Sequence, residues 1–182
     1  MDGERSIWNK KRAVRMPEDL RGLKLRVMEN PIMVDTFRTL GALPTPMPAT
    51  EMYMAAVQGV IDGGEIPPTS ILMQKVYEPA KYLSFTRHFN MPASMAVNVK
   101  WLTGLPPQYQ KAVLEAAEES VAWQDKIFAE DEQEALTKLK GYGMQFNDVD
   151  LAAFQKAMKP VYNKYADRVG GWKMIQAVMD TK

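Results

Sequence analysis

The sequence predicts an α/β fold, and three observations carry that expectation. Helix and strand signals alternate through the first half of the chain, the pattern of a layered α/β unit. From Pro106 to about Tyr142 nothing breaks a helix and strong helix formers dominate. Hydrophobic residues make up 46% and charged residues 25% of the 182, enough to bury a core and too apolar for a disordered chain.

Residues 1–22 are polar and basic, with Arg5, Lys10, Lys11, Arg12, Arg15 and Arg21 set against Asp2, Glu4, Glu18 and Asp19. They are expected to form a solvated connecting segment or an edge strand. Lys24-Leu-Arg-Val27, preceded by Gly22, has the alternation of a short strand. Asn30-Pro31 opens a helix carrying Phe37 and Leu40, which Gly41 and Pro44 end. Pro44-Thr-Pro-Met-Pro48 is too proline-rich for a central strand and allows only a short extended segment. Thr50 is placed to cap a helix from Glu51 to Ile61, closed by Asp62-Gly-Gly-Glu65. Pro67-Pro68-Thr69 opens the next helix, to about Tyr77. Tyr82–Thr86 and Ser94–Val99 have strand character.

In the second half, Val113, Ala117, Val121, Phe128, Ala135 and Leu139 form one apolar face, with Glu118, Glu119, Asp125, Glu132 and Lys138 outside it. At 1.5 Å per residue this helix is roughly 50 Å long, so it should span two lobes or protrude from one. Gly141-Tyr-Gly143 ends it, and Met144–Phe146 offers an edge strand. Asp148 or Asp150 caps a helix through Tyr165. Gly170-Gly171 breaks the chain before a last helix, Trp172–Met179.

Composition excludes several functions. Lys plus Arg is 23 and Asp plus Glu is 22, a net charge of +1, which argues against nucleic acid as a partner. The absence of cysteine removes disulfides, thiol catalysis and cysteine-built metal centres. A single histidine, His88, removes multi-histidine metal sites and is expected to have a structural or surface role. No serine lies in a Gly-x-Ser-x-Gly setting, and Gly59–Gly64 lacks the lysine of a phosphate loop. Acid pairs such as Glu118/Glu119 fall on the exposed side of the long helix. Neither an enzyme nor a cofactor is expected. No run approaches the ~20 apolar residues of a membrane-spanning helix, and the first residues have no apolar core of a secretory signal. The chain is then either cytoplasmic or a mature, trimmed or truncated form.

Arg26 is the residue with chemical promise. Alternation in Lys24–Val27 puts Leu25 and Val27 on one face and Arg26 on the other. Periodicity leaves open whether it is a surface arginine on an edge strand or a planar fork projecting into a crevice, suited to a carboxylate. The 14 methionines serve either as core filling or as an adaptable pocket.

Several blocks have a familiar spelling. They are Gly3-Glu-Arg5-Ser-Ile-Trp-Asn-Lys-Lys-Arg12, Pro17-Glu-Asp-Leu-Arg-Gly-Leu-Lys-Leu-Arg26-Val27, Leu40-Gly-Ala42, Glu51-Met-Tyr53, Gln58-Gly-Val-Ile-Asp62-Gly63 and Glu65. Tyr77-Glu-Pro-Ala-Lys-Tyr82, Thr86-Arg-His88, Trp101 with Leu105-Pro106, and Leu139-Lys-Gly-Tyr-Gly143 continue them. In this order they resemble the solute-binding proteins of TRAP transporters, the DctP-like family. The resemblance implies a two-lobed, periplasmic binding protein-like fold of type II, a periplasmic location, capture of a mono- or dicarboxylate organic acid, and delivery to the TRAP membrane permease.

By the same resemblance Arg26 pairs with the ligand carboxylate and Arg5 helps to hold it. The family's Glu-Asn-Pro block reads Glu65-Ile66-Pro67 here, so the asparagine amide is missing, and the pocket position before Thr50 is the small Ala49. These departures point to a carboxylate with a more apolar or bulkier body. The resemblance also implies a chain lacking most of the first lobe. Residues 1–92 are then the second-lobe ligand-binding region with the first hinge strand, 93–125 a first-lobe remnant, and 126–182 the end of the long helix with C-terminal helices packed on the second lobe. The alternative is a degenerate relative that forms a homodimer through its exposed lobe and no longer carries ligand.

Overall fold

A computed structural model of the chain describes residues 3–92 and 94–181. The strands are β1 (Glu4–Asn9), β2 (Lys24–Val27), β3 (Leu43–Pro46), β4 (Gly63–Ile66), β5 (Tyr82–Asn90) and β6 (Gln145–Asp148). They form one sheet in the order β3-β2-β4-β1-β5-β6. β2 runs parallel to both β3 and β4, β1 is antiparallel to β4 and β5, and β6 is parallel to β5. The helices are α1 (Pro31–Thr39), α2 (Met52–Val57), α3 (Pro68–Met73), α4 (Val99–Thr103), α5 (Pro107–Gly141), α6 (Leu151–Ala157), α7 (Lys159–Tyr165) and α8 (Trp172–Met179).

Alternation along the strands sends side chains to two separate cores. Ile7, Leu25 and Val27 face α1, α6 and α7, where they meet Phe37, Phe154 and Val161. Trp8, Ile66 and Leu83 face α2, α3 and the end of α5, where they meet Met52, Ile71 and Leu139. A buried polar clamp ties the segment after β1 to the far edge of the sheet. Val14 N donates to Ser84 Oγ at 3.0 Å, Ser84 Oγ donates to Asn147 Oδ1 at 2.9 Å, and Asn147 Nδ2 donates to Val14 O at 2.7 Å.

Several expectations hold. β2 has its expected bounds, Asn30 caps α1 through its side chain with Pro31 in the first turn, and the proline-rich β3 lies at the sheet edge. The long helix is observed as α5, of 35 residues, and β6 is the opposite edge.

Others are corrected. The basic N-terminal region is not merely a connector or an edge, because β1 lies inside the sheet between β4 and β5. Thr50 caps no helix: Ala49–Glu51 is a 3-10 turn, and α2 starts at Met52 and ends at Val57. α3 stops at Met73, short of Tyr77. In Ser94–Val99 no strand forms; Asn98 accepts a hydrogen bond from Trp101 N and starts α4 instead. The helix expected to run to Tyr165 breaks at Met158, because Pro160 has no N–H to extend α6 and sits in the first turn of α7. Along α5 only Ala135 and Leu139 are buried, while Val121 of the expected apolar face is exposed.

β4 begins with two glycines because β1 leaves no room for side chains there. A Cβ on Gly63 would sit 2.1 Å from the Trp8 carbonyl oxygen, and one on Gly64 3.0 Å from the Trp8 ring. Gly63→Ala is therefore expected to destabilise the fold by about 1–3 kcal/mol or more, lowering the thermal midpoint by roughly 2–4 °C per kcal/mol. Gly64→Ala should cost less, since an indole can shift where a strand carbonyl cannot. Circular-dichroism melting of both variants checks the order.

Candidate carboxylate-binding site

β2 and β4 run parallel and end side by side, and the antiparallel β1 begins at that same edge. Arg26 is the penultimate residue of β2, Glu65 the penultimate residue of β4, and Arg5 the second residue of β1. The carboxyl edge of parallel strands is where open α/β sheets hold ligands. Register pairs Ile7 with Glu65 and Arg26 with Gly64, so Arg5 and Glu65 share one face while Arg26 rises from the other.

The two buried arginines are in different electrostatic situations. Arg5 is engaged by Glu65: Nε and Nη2 donate to the two carboxylate oxygens, the latter at 2.9 Å, and Nη2 also donates to the Glu65 carbonyl. Arg26 is only 4% exposed, yet none of its nitrogens lies within 4 Å of a carboxylate among the described residues. Its Nε donates to Met47 O at 2.9 Å. Neither terminal nitrogen has a protein acceptor among the described residues, and neither is sealed from solvent. Burial pulls the Arg26 guanidinium below its ordinary value; Glu65 opposes this and Arg5 adds to it.

His88 joins the Arg5–Glu65 pair. Its Nδ1 is 2.7 Å from Thr86 Oγ1, its Nε2 is 3.5 Å from Glu65 Oε2, and Phe37 packs edge-on against the ring. Sequence reasoning left His88 outside the site. Its only signal was strand alternation, which places Thr86 and His88 on one side of β5. Of the other expected residues, Ala49 is half-buried in the 3-10 turn beyond β3. Ile66 ends β4 and is packed among Met52, Ile71 and Trp8. A cavity of about 740 Å³ lies on the α1, α6 and α7 side; it touches Phe37 and His88 but is not lined by Arg26.

Burial is the largest single influence on the Glu65 carboxyl and pushes it up, but His88 and Arg5 together hold it below the usual glutamate range. A folded-state value below the unfolded one contributes stability above the unfolded value, about 4.3, and loses it as pH falls through the folded value. Glu65→Gln is expected to cost about 3–5 kcal/mol at pH 7. The gap to the parent should narrow as pH drops below about 4. Melting both proteins from pH 7 to pH 3 checks this; a constant gap would mean that the pair does not set the acid limb.

Comparison with known proteins identifies the family to which this fold belongs. The family described as bacterial extracellular solute-binding protein, family 7 (DctP) matches residues 1–168. The 2,3-diketo-L-gulonate-binding periplasmic protein YiaO of Escherichia coli K12 is 34% identical over 158 residues, 86% of this chain and 48% of that protein. The TRAP periplasmic solute-binding protein of Roseobacter denitrificans with bound β-D-glucuronate superimposes with a TM-score of 0.91 at 31% identity, over 100% of this chain and 61% of that one. The protein from Polaromonas sp. JS666 bound to D-erythronate gives 0.87 at 36% identity, over 100% and 60%. The chain thus spans about half the length of the curated relatives it matches. No helix among the described residues is long and apolar enough to cross a membrane. The match over residues 1–168 and the shared fold place the chain in the DctP family, the solute-binding proteins of TRAP transporters.

Proposed function

We propose that this chain captures an organic acid by its carboxylate at Arg26 for delivery to a TRAP membrane permease, in the periplasm where its relatives are named as working. One observation carries the reading: Arg26 is buried at the carboxyl edge of the sheet, and among the described residues its fork has no carboxylate partner and its terminal nitrogens no protein acceptor. A buried charge without a counter-ion is costly, and a bidentate ligand carboxylate supplies the missing partner. Arg5 and Glu65 act behind it as a neutral pair, Ala49 leaves space beside the turn, and Ile66 forms part of the floor. The relatives' names and bound ligands are sugar acids or acids, which fits a carboxylate as the common handle. Nothing in this role asks for a cofactor or a reacting group.

Arg26→Ala should abolish acid binding, and Arg26→Lys should restore it poorly, since an ammonium cannot reproduce the planar fork. Titration calorimetry with an acid panel, alongside circular dichroism of each variant, separates lost binding from lost fold. Equal affinity in the lysine variant would overturn the bidentate contact.

Self-association is a second proposal, compatible with the first. Met95, Val99, Trp101, Leu114 and Trp123 are all more than half exposed, the start of an apolar surface along α4 and α5. Such a surface favours a covering partner, and a second copy of this chain can supply it as protein concentration rises. Sedimentation should show a dimer that weakens when Trp101 and Trp123 are replaced by serine.

A further inference from the structure

From β3 into the turn that follows, proline recurs at every second position, Pro44, Pro46 and Pro48, and only part of that repeat serves the sheet edge. The odd residues face β2: Leu43 N donates to Leu23 O at 2.8 Å, and Met47 N, one residue past the strand, donates to Val27 O at 3.3 Å. Pro44 and Pro46 stand at the alternate positions of β3, where the open edge would otherwise present N–H groups to a further strand. Pro48 lies beyond Pro46, the last paired residue of β3, so edge protection does not call for it. It is exposed, and the bond that its carbonyl accepts from Glu51 N is open to any residue.

We propose that Pro48 is a positioning residue for the Arg26 fork and acts through the Met47 carbonyl; the proposal rests on the carboxylate reading of Arg26. A proline ring disfavours the helical conformation in the residue before it and leaves that residue extended. Turning Met47 from extended to helical would swing its carbonyl through roughly half a turn, away from Arg26 Nε, which donates to it at 2.9 Å. Met47 is thus held in three ways: its N–H by Val27 O, its side chain by the core of α2 and α3, and its carbonyl direction by the Pro48 ring. In a planar guanidinium a fixed Nε–H also fixes the plane and direction of the two terminal nitrogens, the pair that a ligand carboxylate would meet. Pro44 is the matched comparison, since it carries the same ring in the same segment but restricts Leu43, at the other end of β3.

The test compares Pro48→Ala with Pro44→Ala and Arg26→Ala, each checked for fold by circular dichroism. One readout needs no ligand: solvent exchange of the Arg26 Nε–H, followed by NMR and assigned by the signal lost in Arg26→Ala. The other is calorimetric titration with D-glucuronate and D-erythronate. In Pro48→Ala the expected result is exchange at least about twofold faster and acid binding about two- to fivefold weaker, with Pro44→Ala like the parent in both. If exchange is unchanged in Pro48→Ala, or rises equally in both proline variants, this inference falls and the carboxylate reading is untouched. The same holds if Pro48→Ala binds the acids as tightly as the parent while Arg26→Ala does not. If no acid binds, or if binding is the same in Arg26→Ala, the carboxylate reading falls and takes the inference with it.

Discussion

A strand with a buried arginine as its second residue can run through the middle of this sheet only because Glu65 meets it there. Arg5 is 5% exposed and Glu65 is fully buried, so each charge has lost its water and depends on the other. Replacing such a pair by well-packed apolar residues is often neutral for stability, whereas removing one partner is severe. The pair therefore acts less as a source of stability than as a fixed register mark. It fastens β1 to β4 at the level of Ile7 and Glu65, which in turn sets Gly64 beside Arg26.

The two cores follow from that register. With β1 held by Glu65 at one end and by the Asn9 side chain and the clamp around Val14 at the other, Ile7 and Trp8 are sent to opposite faces. Trp8 then requires the paired glycines of β4, because its carbonyl and ring occupy the space that side chains would need. The sequence Gly63-Gly64-Glu65-Ile66 thus carries three demands in order: room for β1, room for the indole, and a counter-ion for Arg5. Ile66 closes the α2–α3 core.

Elements fixed by local chemistry were readable from the sequence, and those fixed by distant partners were not. β2, α1 with its Asn30-Pro31 start, and α5 with its unbroken run of helix formers needed only their own residues. The arginines and lysines of residues 5–15 looked solvated because the counter-ion of Arg5 is sixty positions away. Ser94–Val99 alternates as a strand should, but no neighbouring strand accepts it, and the Asn98 side chain serves α4 instead. The resemblance singled out Arg26 and Arg5 as candidate site residues. What stayed hidden was that one is paired and the other free, since that difference depends on which side chains share a face of the folded sheet.

That difference also explains how Arg26 can stay charged without a carboxylate. Its desolvation is opposed by the Glu65 carboxylate, while Arg5 would otherwise add a like charge close by. Because Glu65 binds Arg5 directly, the field that Arg26 feels from the two is close to that of a dipole. The Met47 carbonyl satisfies Nε, and the two terminal nitrogens have no protein acceptor among the described residues. A fork oriented before any ligand arrives loses little freedom on binding, so more of the charge-assisted hydrogen bonding appears as affinity. One arrangement therefore has two effects: the internal pair that anchors the central strand consumes Glu65, and it leaves the neighbouring Arg26 without a carboxylate partner among the described residues.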